Sequence, residues 1–145
     1  MIDFNKVVVL TRSASGAGKS TFAEYLKYIH TFGNPRSCVV ICEADSEMYE
    51  NGEYVFRPEK LAMAHNKCRE KFEKALEGGA NLVICSNTNT RDSDVNIYKN
   101  LADKYGYTTF VVILENRNNT TDSHNVPVVT KEKQAAQLKN SIKLI

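Results

Sequence analysis

The chain lacks any apolar run near the ~18 residues needed to cross a bilayer. Asp3, Asn5 and Lys6 break the only apolar stretch close to its start, so neither a membrane span nor a signal peptide is expected. Its four cysteines, Cys38, Cys42, Cys68 and Cys85, form no Cys-x-x-Cys pair and no metal-like spacing with histidine. That argues against a zinc site and leaves free thiols, two or three of them in apolar runs where cysteine acts as a small hydrophobe. An excess of one charge is missing too: 19 Lys and Arg stand against 17 Asp and Glu, a formal net charge of +2. With a pI near 8.3, the chain tolerates a polyanionic partner without requiring one. There is no repeat and no low-complexity linker. Ordinary globular usage, 42% hydrophobic and 25% charged, completes the expectation of a cytoplasmic protein folded as one domain over residues 1–145.

Apolar runs alternate with segments of helical period, the pattern of a parallel α/β sheet. Four strands are predicted, at Lys6–Leu10, Cys38–Cys42, Leu82–Cys85 and Thr109–Leu114, with the sheet order 2-3-1-4 and helices on the faces. A helix from Lys19 to about Ile29 carries Phe22, Leu26 and Ile29 on one face. A second begins near Pro58, with Leu61, Ala64, Cys68, Phe72 and Ala75 inward, and stops at Gly78-Gly79. A third spans about Asp92 to Tyr105, closed by Gly106. Thr130 is placed to cap a last helix whose stripe is Ala135, Leu138, Ile142 and Ile145. Residues Glu43 to Arg57 read as a polar loop at the carboxyl end of the second strand.

The first strand runs into Ser13-Ala14-Ser15-Gly16-Ala17-Gly18-Lys19-Ser20-Thr21. This is the phosphate-loop pattern, Gly-x-x-x-x-Gly-Lys-Ser/Thr between a strand and a helix, with Ser13 in place of the first glycine. Glycines 16 and 18 allow backbone conformations and close approaches that a Cβ would block. The amides of Ser15 to Thr21 then converge on the phosphates of ATP at a helix N-terminus. Lys19 is expected to reach the β- and γ-phosphates, and the Ser20 hydroxyl to ligate Mg²⁺. No Asn-Lys-x-Asp occurs, which argues against a GTPase, and the chain is short for a motor or AAA-type ATPase. A small phosphotransferase fits better, with the polar insert after strand two holding the phosphoryl acceptor.

Ligands of open α/β sheets sit beyond the carboxyl ends of the strands. Asp45 is therefore placed to face the phosphates and to take the acceptor hydroxyl's proton, or else to cap a turn. Glu43 and Glu47 are weaker candidates, read as solvated. The string Ala44-Asp45, Tyr49, Gly52, Tyr54, Phe56, Pro58, Leu61, Ala64-His65 and Cys68, followed by Asn87-Thr88-Asn89-Thr90, resembles the polynucleotide-kinase-like P-loop kinases, the zeta-toxin and polynucleotide kinase type. The resemblance covers roughly residues 6 to 130. It implies ATP-dependent transfer of the γ-phosphate to an alcohol, often the 5′-OH of a nucleic acid, with Asp45 as general base.

Two departures accompany the resemblance. The family carries an acidic residue before or within Asn-Thr-Asn, where this chain has Ser86 and Asn87. The family's lid arginine is replaced by Thr121 in Thr121-Asp122-Ser123-His124-Asn125-Val126-Pro127, which leaves Arg117 to stabilise charge on the transferring group. Arg57, His65, Arg69, Asn87, Thr88 and Asn89 are candidate acceptor contacts, with surface ion pairs the alternative for the two arginines, a core or helix-to-loop hydrogen bond the favoured role for His65, and loop capping the alternative for the Asn and Thr residues. Tyr49 and Tyr54 could stack on a base. The reading is an ATP- and Mg²⁺-dependent kinase acting on a nucleic-acid hydroxyl, at a 5′ end or on a modified base. A small-molecule or nucleoside kinase and a degenerate nucleotide-binding module are the alternatives.

Overall fold

A computed structural model describes residues 4–115 and 128–141. Four parallel strands form the sheet: β1 (Val7–Arg12), β2 (Val39–Cys42), β5 (Leu82–Cys85) and β6 (Thr108–Ile113), in the order β2-β5-β1-β6. That is the predicted order. β1 lies between β5 and β6, with Val8 opposite Val83 on one side and Thr109 on the other. Side chains alternate across the sheet. Val8 and Leu10 point into the larger core with Cys42, Val83, Cys85 and Phe72, while Val9 packs with Ala23, Leu82 and Ile84.

Helix α1 (Lys19–Gly33) covers the second face, and α2 (Leu61–Glu77) and α3 (Asp92–Lys104) pack against the first. The α2 stripe Ala64, Cys68, Phe72 and Leu76 is buried, and the Phe72 ring meets Tyr98 of α3 edge-on at 4.9 Å. The helix stops where Gly79 turns into the left-handed region at φ 75°. Cys42, Cys68 and Cys85 are buried free thiols and Cys38 is exposed. Burial pushes the Cys42 thiol up to about 12, so it packs as a neutral group.

Several expectations need correction. α1 runs to Gly33, and Ile29 is 53% exposed although Phe22 and Leu26 pack inward as expected. The second half of α1 borders a cleft of about 850 Å³, lined by Val7, Leu26, His30, Leu82 and Phe110, at the amino ends of the strands. The region read as a loop after β2 is ordered: a 3₁₀ turn over Ala44–Met48, then a hairpin of β3 (Tyr49–Glu50) and β4 (Glu53–Tyr54). Asn51 and Gly52 both have positive φ, 51° and 82°, the two-residue turn that suits a tight hairpin. Glu50 is hydrogen-bonded by Arg57 and Lys60, which tie the hairpin to the 3₁₀ turn Pro58–Lys60 and hold its carboxyl down to about 2. Helix α4 (Val128–Ser141) includes Thr130, so that residue is not the cap. Its half-buried residues include Gln134, Gln137 and Leu138, whereas Ala135 is exposed. Ile142 and Ile145 lie outside the described residues.

Phe72 is completely buried between α2, α3 and the sheet. Phe72→Ala is expected to lower the unfolding free energy by about 3–5 kcal/mol, measured by urea denaturation against the unsubstituted chain.

Candidate active site

The phosphate loop follows β1 directly. Gly16 and Gly18 have φ of 83° and 89°, in the left-handed region that strains any residue with a Cβ. Among the described residues, its chain neighbours apart, no atom lies within 4 Å of where a Cβ on Gly18 would sit. Gly18 is the N-cap of α1, and Lys19, its first residue, is buried at 6% exposure. The amides of Ser20 and Thr21, in the first turn, have no carbonyl four residues back within the helix and are available to an anion. The Ser15 N–H donates to Oε1 of Gln134, 2.9 Å away on α4. Sequence reasoning missed Gln134; a contact across 119 positions leaves no local signal.

The loop is held from beside. Arg12, 7% exposed, donates through Nε to the Asn89 carbonyl at 2.8 Å and through a terminal nitrogen to the Thr90 carbonyl at 3.1 Å. The Thr11 hydroxyl donates to the Asn87 carbonyl at 2.8 Å, and the Ser13 N–H to the Thr88 carbonyl at 2.9 Å. In return the Asn89 amide donates to the Thr11 carbonyl at 3.0 Å. Asn87 accepts the Ala44 N–H at 2.8 Å and donates to the Tyr98 hydroxyl at 3.3 Å. The amides of Asn87 and Asn89 therefore tie the segment after β5 to β1, to the turn after β2 and to α3. Thr88, half-buried between them, borders the cavity described below.

Asp45 sits in the 3₁₀ turn after β2, where its Oδ1 accepts the Tyr54 hydroxyl at 3.2 Å. β4 delivers Tyr54, and Tyr49 packs edge-on against it at 5.5 Å. Asp45, Ser15, Thr88, His65 and Gln134 share the lining of a small cavity of about 70 Å³. Beside it opens one of about 490 Å³, bounded by Phe56, His65, Arg69, Arg91, Lys133 and Tyr98 among others. Arg69 is hydrogen-bonded to Asn66, and Arg91 pairs with Asp94 at 3.2 Å. Arg57 does not line this cavity; its partner is Glu50. Arg117 and the segment from Thr121 to Pro127 lie outside the described residues.

Glu43, expected to be solvated, is half-buried and accepts a hydrogen bond from the Ser20 hydroxyl. The two supply only oxygen donors, the set that suits a hard cation such as Mg²⁺. Among the described residues no cluster of three or more His, Cys, Asp or Glu side chains forms a self-sufficient metal cage. Mg²⁺ bound largely through substrate phosphates does not require one.

No protein-family model matches the chain. It is 33% identical over 105 residues to human NEDD4-binding protein 2, a match spanning 70% of this chain and 5% of that protein. Among solved structures, Pnkp1 of the Pnkp1/Rnl/Hen1 RNA repair complex aligns with a TM-score of 0.67 at 19% identity, over 94% of this chain and 45% of that one. Chaetomium thermophilum Kti12 with ADP-AlF3 aligns at 0.62 and 10% identity, over 90% of this chain and 79% of that one. The fold is that of the P-loop kinases. Mycobacterium tuberculosis APS kinase with AMPPNP and APS shares it, at a TM-score of 0.55 and 16% identity, over 77% of this chain and 63% of that one. Among the described residues no helix is long and apolar enough to cross a membrane.

His65 lies on the wall common to both cavities. Burial lowers its pKa from the ordinary value, Arg69 and Arg91 lower it further, and Asp94 and Asp45 partly offset this. A lowered native pKa means the unfolded chain takes up the proton first. The associated stability is present above about pH 6.5 and is lost as pH falls through the lower native value. Urea unfolding from about pH 7.5 to pH 5 is expected to show a steeper acid-side loss for the unsubstituted chain than for His65→Gln, over the range where histidine titrates.

Proposed function

We propose that the chain is an ATP-dependent kinase transferring the γ-phosphate to an alcohol, with the hydroxyl of a nucleic-acid end or modified base as acceptor. The observation that carries this is the shared cavity: a carboxylate held by Tyr54 borders the same small space as Ser15 of the phosphate loop. The single-domain reading of the chain belongs to the same proposal.

The backbone amides around Gly16 to Ser20 cradle the phosphates, and the Lys19 ammonium offsets their charge. Asp45 takes the proton of the acceptor hydroxyl. The freed oxygen forms a bond to the γ-phosphorus as the bond from that phosphorus to the β,γ-bridging oxygen breaks, and ADP departs with the electron pair. Ser20 is the side chain that would hold Mg²⁺, which when bound neutralises charge on the phosphates. Tyr54 fixes which carboxylate oxygen faces the acceptor. His65, neutral near pH 7 through its lowered pKa, adds no charge to the cavity wall.

Arg69, Arg91 and Lys133 on the wall of the larger cavity favour an acceptor that itself carries phosphate. This supports the nucleic-acid reading, as does the likeness to Pnkp1 from an RNA repair complex. A second reading keeps the chemistry and changes the acceptor. A volume of about 490 Å³ is that of a small-molecule pocket, suited to one nucleoside or a small phosphorylated alcohol.

Incubation with γ-labelled ATP and a panel of 5′-OH oligonucleotides, modified-base DNA and nucleosides separates the readings. Label on oligonucleotides supports the first and label on nucleosides alone the second; label on no acceptor sinks both. Asp45→Asn is expected to cut turnover by roughly 10²-fold or more while nucleotide affinity stays within a few-fold. Lys19→Ala is expected to abolish transfer and to weaken ATP binding as well, read by titration calorimetry.

A further inference from the structure

The cleft at the amino ends of the strands has no part in the proposed phosphoryl transfer, which is placed at the carboxyl edge of the sheet. At about 850 Å³ it exceeds both cavities beside the phosphate loop. That volume lies within the range of small-molecule sites. Its apolar lining follows from strand alternation. Val9 of β1 is in register with Phe110 of β6, so both point to the face that α1 covers. Leu26 of α1 packs on that face, yet Phe110 is left 42% exposed on the cleft's wall.

The polar end of the cleft is a fixed frame whose groups already have partners. Asn81 accepts the Cys38 N–H through its side chain at 2.8 Å, and its own N–H donates to the Cys38 carbonyl at 2.9 Å. The Asn81 carbonyl accepts the Val7 N–H at 3.0 Å, which ties the starts of β1, β2 and β5 together. His30 Nε2 lies 2.6 Å from the Ser37 hydroxyl. The amides of Asn34 and Ser37 close the turn after α1 on the carbonyls of His30 and Asn34.

Arg36 differs from these groups. It is exposed on the lip of the cleft and forms no ion pair among the described residues. Pro35 before it restricts the backbone that carries it. No Asp or Glu lines the cleft beside it. An apolar hollow with an unpaired guanidinium at its lip repels cations and suits a ligand with an apolar body and an anionic end.

We infer that this cleft binds a small apolar anion, an aromatic or aliphatic acid whose body lies on Val9, Leu26 and Phe110 and whose acid group pairs with Arg36.

The dye 1-anilinonaphthalene-8-sulfonate is such an anion, and N-phenyl-1-naphthylamine is the same body without the sulfonate. Both are titrated by fluorescence, with and without saturating ADP, and thermal unfolding confirms that each variant is folded. Each dye is expected to bind the unsubstituted chain, and ADP to displace neither. Arg36→Glu is expected to weaken the sulfonate dye roughly 2- to 5-fold, the scale of an exposed ion pair, and to leave the neutral dye unchanged. Gly33 lines the cleft and, its own helix and chain neighbours apart, no described atom lies within 4 Å of where its Cβ would sit. Gly33→Trp therefore fills the hollow and is expected to weaken both dyes. Should that variant fail to fold, Arg36→Glu, at an exposed turn position, carries the comparison. An equal response of the two dyes to Arg36→Glu, or none from either, would overturn the anion site. So would absence of binding, displacement by ADP, or undiminished binding of both dyes to folded Gly33→Trp.

Discussion

A buried guanidinium holds the site in shape. Arg12 is the last residue of β1, and its nitrogens satisfy the carbonyls of Asn89 and Thr90 after β5. A buried carbonyl left unpaired costs about 1–3 kcal/mol, so the segment after β5 has reason to stay closed against β1. The phosphate loop begins at the next residue. Its first amide, that of Ser13, donates to the carbonyl of Thr88, in the same segment. The loop is thereby suspended between a strand and a clamped neighbour, and its Ser15 amide is bonded to Gln134 of α4.

The charges follow from this placement. Lys19 and the N-terminus of α1 make the cradle positive, and Glu43 and Asp45, two residues apart beyond β2, bring carboxylates beside it. Their hydrogen-bond partners differ. Glu43 turns to Ser20, whereas Asp45 turns to Tyr54 and the cavity shared with Ser15. Further out, Arg69, Arg91 and Lys133 border the space an acceptor would occupy. The phosphate loop, the Asp45 carboxylate and the basic residues of the larger cavity are carried by different elements.

The legible parts of the sequence were those with local physical causes. The Val7–Leu10 run, the glycines before Lys19 and the helical stripe of α2 each announce themselves within a few residues. The hairpin of β3 and β4 was also legible in principle, since Asn51-Gly52 between tyrosines is a turn signal, but the charged residues around it read as loop. Glu43 was read as solvated because nothing near it in sequence reveals that β2 ends beside Ser20, 23 residues earlier. Asn87 and Asn89 are candidates for acceptor contact from their place at the exit of the third predicted strand, the resemblance of Asn-Thr-Asn and their residue type. Their burial and their bonds to Ala44 and Thr11 come from strand packing, which residue type does not encode. Gln134 and Gln137 stand on α4 where an apolar stripe was expected, because their partners are Ser15 and Thr90 in the site itself.

In the proposed reaction nucleotide and acceptor meet between the phosphate loop and Asp45, at the carboxyl edge of the sheet. Its most direct test is a crystal structure of the chain with a non-hydrolysable ATP analogue and a dinucleotide bearing a free 5′-OH. The β-phosphate is expected on the amides of Gly16 to Ser20 and the free hydroxyl within hydrogen-bond reach of the Asp45 carboxylate. A nucleotide seated instead in the cleft lined by Val7, Leu26 and Phe110 at the opposite edge, with the phosphate loop empty, would contradict it.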